Sequence, residues 1–267
     1  MGASEFDVQK EQRPSGYREG DYPTLTRADV PEGVEIAMIW AETTAGIIGD
    51  GAEMPWYLPE DLKHIKNSTM GYPVVMGRTS WEALGKYRPL PGRENFVITR
   101  RADYSAPGGH VVASIKDGIA AAAAFARGEE SGGEVPETAS EALQDDGRVT
   151  VWILGGGQVY AQCMPIADRV VITEIDMVAP ERFQVYAPAM DESDFTVERS
   201  EWFASEKGHP VDEEPNGLRY RFETWRRKAE VLHGGCNGGR NQPGHMAGFF
   251  SMIRVFAGRA EVFMNAV

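Results

Sequence analysis

Val149-Thr150-Val151-Trp152-Ile153-Leu154-Gly155-Gly156-Gly157-Gln158-Val159-Tyr160 holds the decisive transition of this chain: an apolar run, a three-glycine turn and the start of a helix. A short apolar run rich in β-branched residues reads as a strand covered on both faces, the kind a parallel sheet flanked by helices contains. Glycines at such a turn allow a ligand to approach the backbone, and the unpaired N–H groups of the new helix suit phosphate. The segment departs from the dinucleotide fingerprint G-x-G-x-x-G because Tyr160 occupies its last glycine position, so a Rossmann domain is not indicated.

Outward from this segment, strands and helices alternate. Strands are expected at 34–41, 72–76, 94–99, 110–113, 149–154, 169–175, 195–203 and 218–225, and helices at 59–68, 78–84, 114–126 and 157–164. The pattern predicts an α/β fold built on a single eight-stranded, mostly parallel sheet flanked by helices. No helix separates the last two strands, so the sheet should end in an antiparallel C-terminal hairpin. Pro59 suits the first turn of its helix, and Ser114 with Asp117 three residues on marks an N-cap.

The 267 residues carry 27 Lys and Arg against 40 Asp and Glu, a formal charge of -13. That balance disfavours nucleic acid and anionic membrane surfaces as partners, while leaving room for a local basic pocket. Apolar content of 42% and charged content of 25% are those of a globular protein. Cys163 and Cys236 lie outside any CxxC pattern, so neither a disulfide framework nor a cysteine zinc site is expected. His64, His110, His209, His233 and His245 lack metal spacing and read as surface or loop residues; no metal is predicted. An N-terminus without an apolar h-region, and no run near the ~20 apolar residues of a membrane span, predict a cytoplasmic protein.

The organisation expected is a loosely ordered leader at 1–33, one domain at 34–227 and a Gly-rich tail at 228–267 with an apolar run at 246–257. Within the domain, 127–148 reads as an exposed insertion, seven acids and two arginines among Gly, Ser and Pro. No segment past Arg227 is long enough for a second catalytic domain.

Chemistry-bearing residues gather at the expected strand ends. Gly77-Arg78-Thr79-Ser80 repeats the glycine-then-helix arrangement, and Thr99-Arg100-Arg101 closes another strand. Arginines at the carboxyl ends of parallel strands are where an α/β sheet would hold a polyanionic cofactor. Asp61, in the first turn of its helix, shares a face with Ile65. It either complements the helix dipole or points into an apolar pocket, where desolvation would raise its pKa and make it a proton donor or a reader of amidine-like groups. Neither a nucleophile elbow nor a Walker A motif occurs, so hydrolase and P-loop chemistry lack carriers.

Seven segments, taken in order, resemble dihydrofolate reductase, most closely the bacterial enzymes. They are Ile39-Trp40-Ala41, Gly46-Ile47-Ile48-Gly49, Met54-Pro55-Trp56-Tyr57-Leu58-Pro59-Glu60-Asp61-Leu62, Val75-Met76-Gly77-Arg78-Thr79-Ser80-Trp81-Glu82, Arg88-Pro89-Leu90-Pro91-Gly92-Arg93-Glu94-Asn95, Leu154-Gly155-Gly156-Gly157-Gln158-Val159-Tyr160 and Thr173-Glu174-Ile175-Asp176. The resemblance implies NADPH-dependent reduction of 7,8-dihydrofolate to tetrahydrofolate, and with it one-carbon metabolism, antifolate binding and a monomer.

It implies catalytic roles for Asp61, Trp56, Tyr160 and Thr173, with Asp61 reading the pterin and raising the proton affinity of N5. Substrate contacts fall to Ile39, Trp40, Ala41, Ile65, Leu84, Leu90, Arg88, Leu154 and Arg93, the last forking onto the glutamate carboxylate. Cofactor contacts fall to Ala41, Ile48, Gly49, Gly77, Arg78, Thr79, Ser80, Thr99, Arg100, Arg101 and the run Gly155, Gly156, Gly157, Gln158, Val159 and Tyr160, with Arg78, Arg100 and Arg101 near the 2′-phosphate and a cis Gly155–Gly156 bond. Residues 49–54 would form a mobile lid with Trp56. The chain departs from the family pattern at Ile65, where many relatives carry an aromatic ring, at Gln158, a frequent arginine, and near Lys86-Tyr87, where the pattern is lengthened. A pyrimidine reductase of the same fold is disfavoured by Asp61 in its Trp-x-x-Pro-x-Asp context together with Arg93, and a pterin-binding module without turnover by the retention of Asp61, Thr173 and the glycine turn.

Overall fold

The structure, a computed structural model, describes residues 25–129, 134–211 and 213–229. The leader through residue 24, residues 130–133 of the insertion and the tail from 230 with its apolar run lie outside the described residues. In chain order the strands are β1 (Val34–Thr43), β2 (Ile47–Gly49), β3 (Trp56–Tyr57), β4 (Pro73–Gly77), β5 (Glu94–Ile98), β6 (His110–Val112), β7 (Val149–Ile153), β8 (Arg169–Ile175), β9 (Val185–Tyr186), β10 (Phe195–Arg199), β11 (Phe203–Ala204), β12 (His209–Pro210) and β13 (Arg219–Arg227). The helices are α1 (Pro59–Thr69), α2 (Arg78–Ala83), α3 (Ile115–Ala126) and α4 (Gly157–Cys163).

The main sheet runs β10-β13-β8-β1-β7-β4-β5-β6, with β11 added on β13. Pairing is parallel from β8 to β6, and the last strands are antiparallel. The expected α/β architecture and C-terminal hairpin are therefore present. One difference is that the strand expected at 195–203 breaks into β10 and β11, because Ser200 turns its hydroxyl to the Phe222 amide and interrupts the ladder.

Strand polarity sets the layers. Along β1, Ile36 and Met38 join one apolar cluster and Ala37 and Ile39 the other, the period-2 alternation of a sheet with two buried faces. Buried residues of α3 and α4 cover the first face, and Trp81 of α2 with Ile65 of α1 packs on the second. Ser114 caps α3 as expected, accepting from the Asp117 amide at 3.1 Å.

Two boundaries shift. Leu25 and Val30 are buried in the larger cluster, and Arg27 bonds the Asp168 carboxylate at 2.8 Å and the Val34 carbonyl, so ordered structure begins well before residue 34. Isolated apolar residues in a polar run carry no periodicity, which hides them from a reading by pattern. Val30→Ala should then lower the unfolding free energy by about 2 kcal/mol, read as a denaturant midpoint; an unchanged midpoint would place the segment outside the core. The acidic insertion is likewise not wholly exposed. Ala139 and Ala142 are buried and the Thr138 hydroxyl donates to Glu94, while Leu143 makes a backbone bridge to Val149 and leaves its side chain, like the described acids, facing water.

Candidate active site

The parallel strands deliver their carboxyl ends to one edge, where β1, β4, β5, β7 and β8 finish at Thr43, Gly77, Ile98, Ile153 and Ile175. In open α/β sheets that edge is where ligands bind. Asp61 reaches it from the first turn of α1, begun by Pro59 at the helix start. Asp61 is only 1% exposed, and burial raises its carboxyl from 3.8 to about 6. The Thr173 hydroxyl lies near enough to oppose that rise, yet neither Asp61 oxygen nor the hydroxyl meets hydrogen-bond geometry with a partner among the described residues. A buried polar group without a partner is costly, so one so placed marks a site shaped for a ligand. Asp61 is thus buried and desolvated, as the apolar reading expects, while it also stands in the first turn of α1.

Ile39 belongs to the apolar cluster flanked by Ile65, Leu84, Leu90 and Leu154, so these expected wall residues come together. Ala41 pairs with Thr173 across β1 and β8, and Trp56 shares Ala41's cluster with its indole nitrogen buried and unpartnered. Trp40 does not join them. Its side chain leaves β1 on the opposite face, 4.9 Å from the Tyr160 ring, and its indole donates to Glu42 at 2.8 Å. The Tyr160 hydroxyl donates to the Ile39 carbonyl at 2.6 Å, and burial, then Asp61's charge, push the phenol far above its ordinary range. Tyr160 is thus held against β1, its hydroxyl engaged by the Ile39 carbonyl.

Arg93 is 6% exposed, with Nε on the Pro91 carbonyl at 3.1 Å and Nη1 on the Thr69 hydroxyl at 3.2 Å, and no carboxylate pairs with it among the described residues. Arg88 is exposed and lies over the Trp81 ring at 5.8 Å.

The two glycine turns abut. A Cβ on Gly77 would meet Val159 at 3.3 Å and the Gly155 carbonyl at 3.6 Å, and one on Gly156 would meet the Ser80 hydroxyl at 3.3 Å. The Gly155–Gly156 peptide is cis, as the resemblance implies. A Cβ on Gly157 would touch Val185 at 3.0 Å and Ile48 at 3.7 Å, which sets β2 and β9 at the same edge. Arg78 pairs with Glu82 at 2.6 Å, Thr79 and Gln158 face solvent, and the Thr99 hydroxyl accepts from the Arg101 amide while Arg100 stays exposed.

The segment 49–54, the expected lid, is folded back on itself. Asp50 accepts from the amides of Ala52 and Glu53 at 2.8 Å, and Gly49, at φ +152, clears the Glu53 carbonyl as no side chain would. Its far end is held by β12, which pairs with β3, and by the Val211 amide on Pro55. The same loop sends the buried Ser205 hydroxyl to both Glu60 oxygens, at 2.9 and 2.8 Å, beside Asp61. No spacing signals that contact, since its partners are 145 residues apart. His64, expected at the surface, is half-buried in α1 with its ring 4.1 Å from that of Phe222, and burial keeps it neutral.

A family model described as dihydrofolate reductase matches residues 35–227. The chain belongs to the dihydrofolate reductase family. The dihydrofolate reductase of Mycobacterium tuberculosis is 38% identical over 194 residues, 72% of this chain and 98% of the relative. That of Bacillus subtilis is 30% identical over 202 residues, 75% and 99% of the two chains. Among solved structures, dihydrofolate reductase from Enterococcus faecalis complexed with NADP(H) and RAB-propyl superposes with a TM-score of 0.54 at 28% identity, covering 73% of this chain and 97% of that one. Within the dihydrofolate reductase match fall Asp61, Thr173, Arg93 and both glycine turns.

Proposed function

We propose that the chain reduces 7,8-dihydrofolate to tetrahydrofolate with NADPH. The observation that carries this reading is Asp61: a buried, unpartnered carboxylate beside Thr173, at the rim of an apolar wall. Its two oxygens suit the paired N–H groups of a pterin edge. With its carboxyl at about 6, Asp61 holds or gives up a proton near neutrality, which is what delivery to N5 requires. Thr173, beside the carboxylate, would help hold it once a ligand is bound, and Trp56 and the segment 49–54 would keep bulk water from it. Ile39, Ile65, Leu84, Leu90 and Leu154 enclose the pterin and benzoyl rings, and Arg93 with Arg88 receives the anionic tail.

NADPH, when bound, supplies the hydride. The abutting glycine turns suit it: a Cβ at Gly77, Gly155 or Gly156 would crowd Val159, the Tyr160 ring or the Ser80 hydroxyl, so glycine lets the two turns pack together and brings the starts of α2 and α4 to one edge, where their backbone N–H groups would meet phosphate. Ala41, Ile48 and Gly49 would border its nicotinamide end; Ser80, Thr79 and the run from Gly155 to Tyr160 its pyrophosphate; Arg78, Thr99, Arg100 and Arg101 its 2′-phosphate. We assign the catalytic domain to residues 25–227, acting as a monomer in the cytoplasm, a compartment in keeping with the buried free thiol of Cys163. No helix of the described residues is long and apolar enough to cross a membrane. Antifolates presenting an amidine-like edge would compete for Asp61.

The deciding experiment follows NADPH oxidation by the purified chain with and without dihydrofolate. Absence of dihydrofolate-dependent oxidation by folded protein would overturn the reading. Arg78→Ala should raise the KM for NADPH about 10- to 100-fold more than the KM for NADH, the value of a charge-assisted contact to phosphate. Equal changes would place the 2′-phosphate elsewhere.

A further inference from the structure

Beside Arg78 stands a carboxylate that the proposed reaction does not use. Glu82 lies one turn further along α2, and its Oε2 is 2.6 Å from Arg78 Nη1. The side chains are 41% and 27% exposed, so the pair sits at the rim of the cradle formed by the Gly77 and Gly155 turns. Glu82 is the only carboxylate paired with Arg78 among the described residues.

The chain after β5 folds back towards the pair. The Arg101 amide bonds the Thr99 hydroxyl at 3.2 Å, the Tyr104 amide bonds the Arg101 carbonyl at 3.2 Å, and Tyr104 packs on the apolar cluster that contains Trp81. The Arg78 hydrogen bond, and less strongly the Tyr104 hydroxyl and Arg101's charge, hold Glu82 below the ordinary carboxylate range, so it is ionised at neutral pH. A fixed negative charge therefore sits among the cations assigned to an anionic group.

We propose that Glu82 sets cofactor choice, as the counter-anion from which a 2′-phosphate must draw Arg78. The inference rests on the assignment of the 2′-phosphate to Arg78. A phosphate arriving at Arg78 meets a like charge one guanidinium away, and like charges at that separation repel appreciably at a partly exposed site. The neutral 2′-hydroxyl of NADH meets no such penalty. Glu82 thus trims the advantage of NADPH over NADH and quickens release of the phosphorylated cofactor.

Glu82→Gln removes the charge while keeping the shape and a hydrogen-bond acceptor for Arg78. With dihydrofolate saturating, the ratio of kcat/KM for NADPH to that for NADH should rise roughly three- to tenfold, carried by a lower KM for NADPH. Fluorescence titration of the same variant with NADPH should show a matching fall in Kd, independent of turnover. An unchanged or lower ratio, with Arg78→Ala still selective against NADPH, would overturn the role of Glu82 and leave the 2′-phosphate assignment standing. Equal losses for both cofactors in Arg78→Ala would remove that assignment and the proposal with it.

Discussion

Asp61→Asn should abolish most turnover while making the folded chain more stable. Loss of a positioned proton donor costs about 10²- to 10⁴-fold in rate, and Asn offers one fewer acceptor to a pterin edge. The stability gain follows from burial. The carboxyl rises from 3.8 to about 6 on folding, so its contribution is fully present below pH 3.8 and is lost as pH rises through 6, where the folded chain must hold a buried charge. Two units correspond to about 3 kcal/mol at neutral pH. Thermal midpoints of the two proteins should coincide near pH 4 and separate by pH 7.5, with the Asn variant higher. In the parent chain kcat/KM should fall as pH climbs above about 6, and that limb should be missing from whatever activity the variant retains. Coincident melting curves at pH 7.5 would mean that Asp61 is not desolvated in the folded state.

A second large effect is expected at Arg93. Its guanidinium is buried with two neutral acceptors and, among the described residues, no carboxylate, which is costly unless a ligand supplies the counter-charge. Arg93→Leu should raise the KM for dihydrofolate about 100-fold with kcat little changed, because the tail contact is the same in the ground and transition states. Arg93→Lys should recover little, since a point charge cannot fork onto a carboxylate. A dihydropterin substrate without the glutamate should show the same KM in variant and parent; a shared loss would move Arg93 from tail recognition to general packing.

How far the molecule is legible in its sequence depends on range. β4 is apolar throughout and β7 is so except at Thr150, because helices cover both their faces, so composition alone marks them. That Asp61 shares a helix face with Ile65 is legible because the relation is local, whereas its burial is not and its role comes only with the resemblance. The direction of the Trp40 side chain is not legible, for the opposite reason. Adjacent strand residues point to opposite faces, and only the packed sheet shows that Trp40 faces Tyr160 while Ile39 faces the wall. Leu25 and Val30 at the N-terminal edge and Ala139 and Ala142 in the acidic insertion are single apolar residues in polar surroundings, without a period to announce their burial. The Ser205 contact with Glu60 joins segments that only the completed sheet brings together.

The order of strands bears on how the molecule is made. β1, synthesised early, lies between β7 and β8, both of which are translated more than a hundred residues later. On the ribosome it emerges as an apolar strand with two open edges, a template for wrong pairing until the distant partners arrive. Thr173 in turn lies against β13, the last strand described, so the proton-handling pocket closes only when the end of the domain has docked. Folding should therefore be slow for a chain of this size, as expected where pairing is dominated by distant partners, and the first catalytic activity should coincide with completion of the sheet.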